Sequence, residues 1–215
     1  MEKDMKYAIL DLLGKLKTID YISPDAIPNI DLYMDQITSF MDSQLENSKR
    51  HEDDKLLTKT MINNYTKNDL LPPPNKKKYS KEHLLTLIFI YYLKNILSIS
   101  DIQSILNPIT DKYFGKKDSE FDMSDIYSEI FRMEEEETTK LLKEFSKKYS
   151  IAKDTFKDFP EEEQEELQTF AFICLLSFDI YMKKRLIEKL IDDVITDDDT
   201  SNPDKDETKN KDKNK

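Results

Sequence analysis

The sequence predicts an all-α protein, a winged helix-turn-helix followed by an additional C-terminal helical region. Three observations lead there. Residues 57–106 run as a short helix with a polar outer face, a proline-stiffened basic turn, a strongly apolar helix and a shorter fourth helix. That is the order a helix-turn-helix with an attached wing requires. Apolar residues outside this stretch recur every three to four positions, the helical period. A long apolar segment, residues 170–182, follows Pro160 and a run of glutamates, a pattern that suits the start of a long helix.

In chain order, residues 1–28 form an N-terminal helix and linker. Tyr7, Ile9, Leu10, Leu13 and Leu16 carry the helical pattern, and Ser23-Pro24 and Ile27-Pro28 end it, because each proline biases its predecessor out of the helical region. Asn29 or Asp31 is placed to cap a second helix with Leu32, Met34, Ile37, Phe40, Met41 and Leu45 on its apolar stripe. The polar run 46–55 is a loop. Thr58 stands where an N-cap belongs, and Met61, Ile62 and Tyr65 follow on one face. The outer face is Lys59, Thr60, Asn63, Thr66 and Lys67, with Asn64 on the flank.

Leu70-Leu71-Pro72-Pro73-Pro74 stops that helix, since tandem prolines favour an extended path, and residues 75–78 project as a strand or turn. Ser80 caps the next helix, whose residues 84–93 are apolar on nearly every side, so it is the expected core. Ser98 or Ser100 opens the fourth helix. Ile102, Ile105 and Leu106 point inward, and Asn107-Pro108 closes it. Residues 29–115 are therefore one domain.

Residues 116–196 are a separate helical region. A first helix over 126–149 carries Ile130, Phe131, Met133, Leu141, Leu142, Phe145 and Tyr149 around the acidic run 134–137. Adjacent glutamates point around a helix rather than to one spot, so the run reads as a solvated face and not as a metal site. In the second helix, residues 170–182 suit core packing by default and self-association as the sharper alternative. The tail 197–215 lacks apolar residues and is expected to be disordered.

Composition removes most catalytic classes. Two glycines, Gly14 and Gly115, cannot form a Walker loop or a dinucleotide fingerprint. His51, His83 and Cys174 are too few for a zinc site, and a lone cysteine forms no internal disulfide and suits a reducing compartment. The N-terminus shows no signal peptide, and the longest apolar stretches, 84–93 and 170–182, fall short of the ~20 residues of a spanning helix. The expectation is a soluble cytoplasmic protein without enzymatic activity, metal, cofactor or membrane attachment.

Charge is uneven. The chain carries a net −11, yet residues 49–84 hold nine basic and five acidic residues. This cationic window coincides with the polar-faced helix and the basic turn. Beyond a Debye length of ~8 Å the distant acidic residues are largely screened, so a basic patch on an acidic body still attracts a polyanion.

The run TKTMINNYTKNDLLPPP followed by KKYSKEHLLTL resembles the DNA-binding domain of MerR-type transcriptional regulators. The family's Tyr-x-x-x-x-Leu-Leu-Pro-Pro pattern is carried by Tyr65, Leu70, Leu71, Pro72 and Pro73. Its Tyr-Ser-x-x-x-Leu pattern is carried by Tyr79, Ser80 and Leu84, and its later Ser-x-x-x-Ile segment by Ser98 and Ile102. The resemblance covers about fifty residues. The whole chain also resembles an uncharacterised family of small bacterial proteins known only as a domain of unknown function. Asn63 stands where MerR proteins usually have arginine, Asn64-Tyr65 where they have Tyr-Tyr, and Asp69 where they have glycine. The wing, residues 74–78, is shorter and lacks a glycine.

The resemblance implies a DNA-binding transcriptional regulator. Lys59, Thr60, Asn63, Asn64 and Lys67 would face the groove, and Lys76, Lys77 and Lys78 would contact phosphate from the wing. Asparagine pairs with adenine through two hydrogen bonds, and lysine reaches guanine or phosphate. The partner is double-stranded DNA, and a homodimer through the C-terminal helices is expected because one short helix reads too few base pairs. The alternative is a non-enzymatic protein-binding adaptor on the same scaffold, consistent with the acidic total.

Overall fold

In the computed structural model, which describes residue 14 and residues 21–116 and 120–195, the chain is mostly helical with one two-stranded sheet. The readings of residues 1–20 as a lead-in helix and of 197–215 as a disordered tail lie outside the described residues, apart from residue 14. A 3-10 turn, Pro24–Ala26, leads to a two-residue strand, Leu32–Tyr33 (β1), and directly into helix Met34–Gln44 (α1). After a second 3-10 turn, Glu46–Ser48, come Lys59–Lys67 (α2), Lys78–Tyr79 (β2), Lys81–Leu93 (α3) and Ile99–Tyr113 (α4). Two long helices follow, Met123–Lys153 (α5) and Glu161–Leu190 (α6), and then a π turn, Ile191–Ile195.

The core is built around α3. Leu84, Leu85, Leu87, Ile88 and Ile90 are each no more than 1% exposed, as the apolar girth of this helix requires. Around them pack Ile37, Met41 and Leu45 at the first helix, Ile62 and Tyr65 of α2, Leu70 and Leu71, and Ile102 and Leu106 of α4. Ile22 and Ile27 join the same core, and the Tyr127 hydroxyl of α5 donates to the Ile22 carbonyl at 2.5 Å.

Three expectations are corrected. Neither Asn29 nor Asp31 caps α1. Leu32 and Tyr33 are drawn into an antiparallel pairing with Tyr79 and Lys78, so the helix starts only at Met34, and the Gln36 side chain accepts the Tyr33 N–H at 2.8 Å. Asn107-Pro108 does not close the fourth helix. It runs to Tyr113 with Pro108 inside it, despite the ~3 kcal/mol an interior proline costs. The buried side chains Leu106 and Thr110 hold both flanks of the proline inward, and the Thr110 hydroxyl donates to the Asn107 carbonyl at 3.0 Å. Residues 170–182 are not mainly core: Phe170, Ile173, Phe178, Ile180, Tyr181 and Met182 are each more than half exposed, because α6 is covered by α5 on one side only.

Asp122 caps α5 by accepting the N–H groups of Ser124 and Asp125, which sets the start three residues before the expected Ile126. The helices α5 and α6 form an antiparallel hairpin. At the open end of the hairpin Met123 and Tyr127 of α5 and Ile191 just past α6 are buried in the core, while the Tyr149 and Phe172 rings meet further out, 5.6 Å apart. Lys148 pairs with Asp179 across the hairpin. The connecting turn places Phe156 at φ 55° and is pinned by the buried Gln168, whose amide donates to the Thr155 carbonyl. From Tyr127 to Lys153 the hairpin reaches roughly 40 Å along its axis. No helix among the described residues is long and apolar enough to cross a membrane.

Candidate nucleic-acid interface

Thr58 caps α2, its hydroxyl accepting the Met61 N–H at 3.2 Å. Ile62 and Tyr65 bury the inner face, and Lys59, Thr60, Asn63, Asn64 and Lys67 are all exposed. At the far end the Asn68 amide donates to the Asn64 carbonyl at 2.8 Å, and the Gln103 amide of α4 donates to the Asn68 carbonyl. Asp69 then adopts φ 55°, and the N–H groups of Leu70 and Leu71 both return to the Tyr65 carbonyl. This left-handed residue lets the chain reverse sharply, so the two leucines enter the core at 1% exposure while the prolines lead outward.

The basic turn is a two-residue hairpin. Asn75 and Lys78 exchange both backbone hydrogen bonds, at 3.0 and 2.9 Å, and Lys76 and Lys77 occupy the turn at φ 49° and φ 66°. Two consecutive left-handed residues are the signature of a type I′ turn, which is most at ease with Asn-Gly. Here two lysines hold it, exposed, with Lys78 beside them on β2.

The two parts of the basic surface meet at the start of α1. Lys59, the first residue of α2, pairs with Asp35. The Lys78 ammonium lies 5.5 Å from the centre of the Tyr33 ring, which is 52% exposed. Both cations therefore reach neighbouring residues of one turn. Lys67 lies at the opposite end of α2, roughly 12 Å along its axis from Lys59. Sequence reasoning missed Tyr33 and Asp35. A two-residue strand leaves no readable alternation, so the only signal was Tyr33 interrupting the apolar stripe of α1.

Beneath the wing sits His83, 5% exposed, in the first turn of α3. Its Nδ1 accepts the Ser80 N–H at 3.0 Å, and its Nε2 is 3.3 Å from the Pro73 carbonyl. Burial holds its pKa below the ordinary 6.5, against the opposing pull of the Pro73 carbonyl and Asp31. Burial also raises the Tyr65 and Tyr79 hydroxyls, which keeps both neutral. Among the described residues no group of three His, Cys, Asp or Glu side chains is arranged to hold a metal ion.

The described architecture is thus a helical domain whose small sheet ties a basic hairpin to the start of α1. The chain belongs to the family described as Domain of unknown function (DUF1836), whose model matches residues 22–130, just over half of its length. That span begins at the buried Ile22 and ends just after Tyr127, the residue that binds it. Neither the curated proteins nor the solved structures provide a match.

Proposed function

We propose that this protein binds double-stranded DNA as a MerR-like winged helix-turn-helix regulator. Asn63 and Lys59 of α2 would face the groove, Thr60, Asn64 and Lys67 would flank them, and Lys76, Lys77 and Lys78 would grip phosphate. The observation that carries this reading is the wing turn. A lysine pair occupies two left-handed positions where Asn-Gly would be more stable, and backbone strain of this kind persists where a side chain is needed for function. Asp69 adds support, because its positive φ falls where the MerR pattern has glycine.

The regulator reading includes a second copy of the chain on the outer face of α6, opposite Phe172 and Asp179. Phe170, Ile173, Ile180 and Tyr181 share that face and are each 54–64% exposed. At about 100 Å² apiece they offer roughly 400 Å² of apolar area, about half of one partner's share of a standard stable interface, with flanking side chains to supply the rest. Phe170, Ile173, Ser177 and Ile180 recur at alternating spacings of three and four, which suits pairing between helices.

Titrating binding to random duplex DNA against salt tests the proposal. A phosphate-gripping protein loses affinity steeply as salt rises. Absence of binding at low salt would instead favour the protein-binding adaptor.

A further inference from the structure

The wing leaves the core at Pro73 and returns at Ser80, and one imidazole touches both limbs. The Ser80 N–H can only donate, so Nδ1 of His83 must be its acceptor, at 3.0 Å. The ring proton then sits on Nε2 and donates to the Pro73 carbonyl at 3.3 Å. The ring cannot swing away, because it stacks edge-on against Tyr79, centres 5.4 Å apart, and against Phe114, 4.7 Å apart. A capping box ordinarily uses Glu or Gln in the third position of the helix, and His83 stands there instead, facing the Ser80 cap. Those residues would satisfy the cap, but only histidine changes charge near neutral pH.

We propose that His83 is the positioning residue of the wing: its neutral imidazole clasps the hairpin limbs at Pro73 and Ser80, and protonation of Nδ1 breaks the backbone tie at Ser80. The consequence for polyanion binding rests on reading the wing as the phosphate grip. Protonated Nδ1 would donate to the Ser80 hydroxyl, 2.8 Å away, and leave the Ser80 N–H without its acceptor, while Nε2–H keeps the Pro73 carbonyl, so the hairpin stem is held from one limb's backbone only. The charged and titratable groups around the ring are few. Asp31 approaches from the segment before β1, and the Tyr79 hydroxyl stays neutral. On the helix itself Lys81 is next to the Ser80 cap, and the Glu82 carboxylate already accepts the Gly115 N–H at 2.9 Å. Phe114, at the end of α4, brings no charge. The ring therefore stays neutral near pH 7, and its tie to the Ser80 N–H is complete above about pH 6.5 and lost as pH falls through the lower value held in the folded protein.

The test uses the full chain carrying His51→Gln, so that one imidazole remains. Nitrogen NMR of the ring and amide exchange at Lys78, corrected for the intrinsic pH dependence of exchange, are followed from about pH 7.5 down to about 5. The expected result is an unprotonated Nδ1 at neutral pH and a loss of Lys78 protection, roughly tenfold, in step with the ring's titration. Duplex affinity should fall over the same window and hold level when His83→Gln is added. A proton on Nδ1 at neutral pH, or Lys78 protection indifferent to the titration, would overturn the clasp. Should protection track the titration while no duplex binds at any pH, the clasp stands and the DNA reading fails. If the His83→Gln protein does not fold, the ring titration and Lys78 exchange still decide.

Discussion

Lys76 and Lys77 hold a backbone conformation that costs an L-residue with a Cβ roughly 1–2 kcal/mol each. Replacing them by the pair the turn favours, Lys76→Asn with Lys77→Gly, relieves that strain, partly offset by the greater freedom glycine gives the unfolded chain. The expected outcome is a gain of about 1–2 kcal/mol, seen as a Tm several degrees higher, together with weaker duplex binding. A variant that is no more stable, or that binds as well as before, would mean the lysines are not retained for a ligand. Asn63 makes the complementary case. It is exposed in the middle of α2, so Asn63→Ala should cost about 1–3 kcal/mol on a cognate site selected from random sequence and little on random duplex. Equal losses on both would remove it from a reading role. Asp35 acts the other way, because it pairs with Lys59. With Asp35→Asn the lysine is free for phosphate, and the salt dependence of binding should steepen by about one ion. A slope that stays where it was would show that Lys59 never meets DNA.

At the scale of elements, the two faces of α6 separate cleanly. Phe172 packs on Tyr149 inside the hairpin, whereas Tyr181 is 57% exposed on the outer face. Phe172→Glu should unfold the hairpin, and Tyr181→Glu should give a folded monomer, distinguished by sedimentation and circular dichroism. If the wild-type protein already sediments as a monomer at high micromolar concentration, the second-copy reading fails. The helices themselves were largely legible: Thr58, Ser80 and Ser98 occupy the N-cap positions that their side chains suit. Their ends were less so. Pro108 reads as a stop, but a proline is a local penalty that buried neighbours on both sides outweigh. Leu32 reads as the start of α1, because its pairing with Tyr79 joins residues far apart in the sequence.

Over the whole molecule, the position of the core was visible in the apolar girth of α3, whereas the exposure of α6 was not. An apolar helix looks the same in sequence whether its neighbours come from its own chain or from another. The candidate interface was legible as residue types and as a cationic window. The strained turn, the meeting of Lys59 and Lys78 at the start of α1 and the imidazole beneath the wing required coordinates, since each depends on backbone angles or on distant contacts. The central claim is that the hairpin grips phosphate beside α2. It is tested most directly by measuring duplex affinity across a range of salt for the wild type and for a protein with Lys76, Lys77 and Lys78 all changed to glutamine. Loss of three phosphate contacts should flatten the slope of log affinity against log salt by about 2.7, similarly on every duplex sequence. An unchanged slope, or a wild type that binds no duplex at low salt, would contradict it.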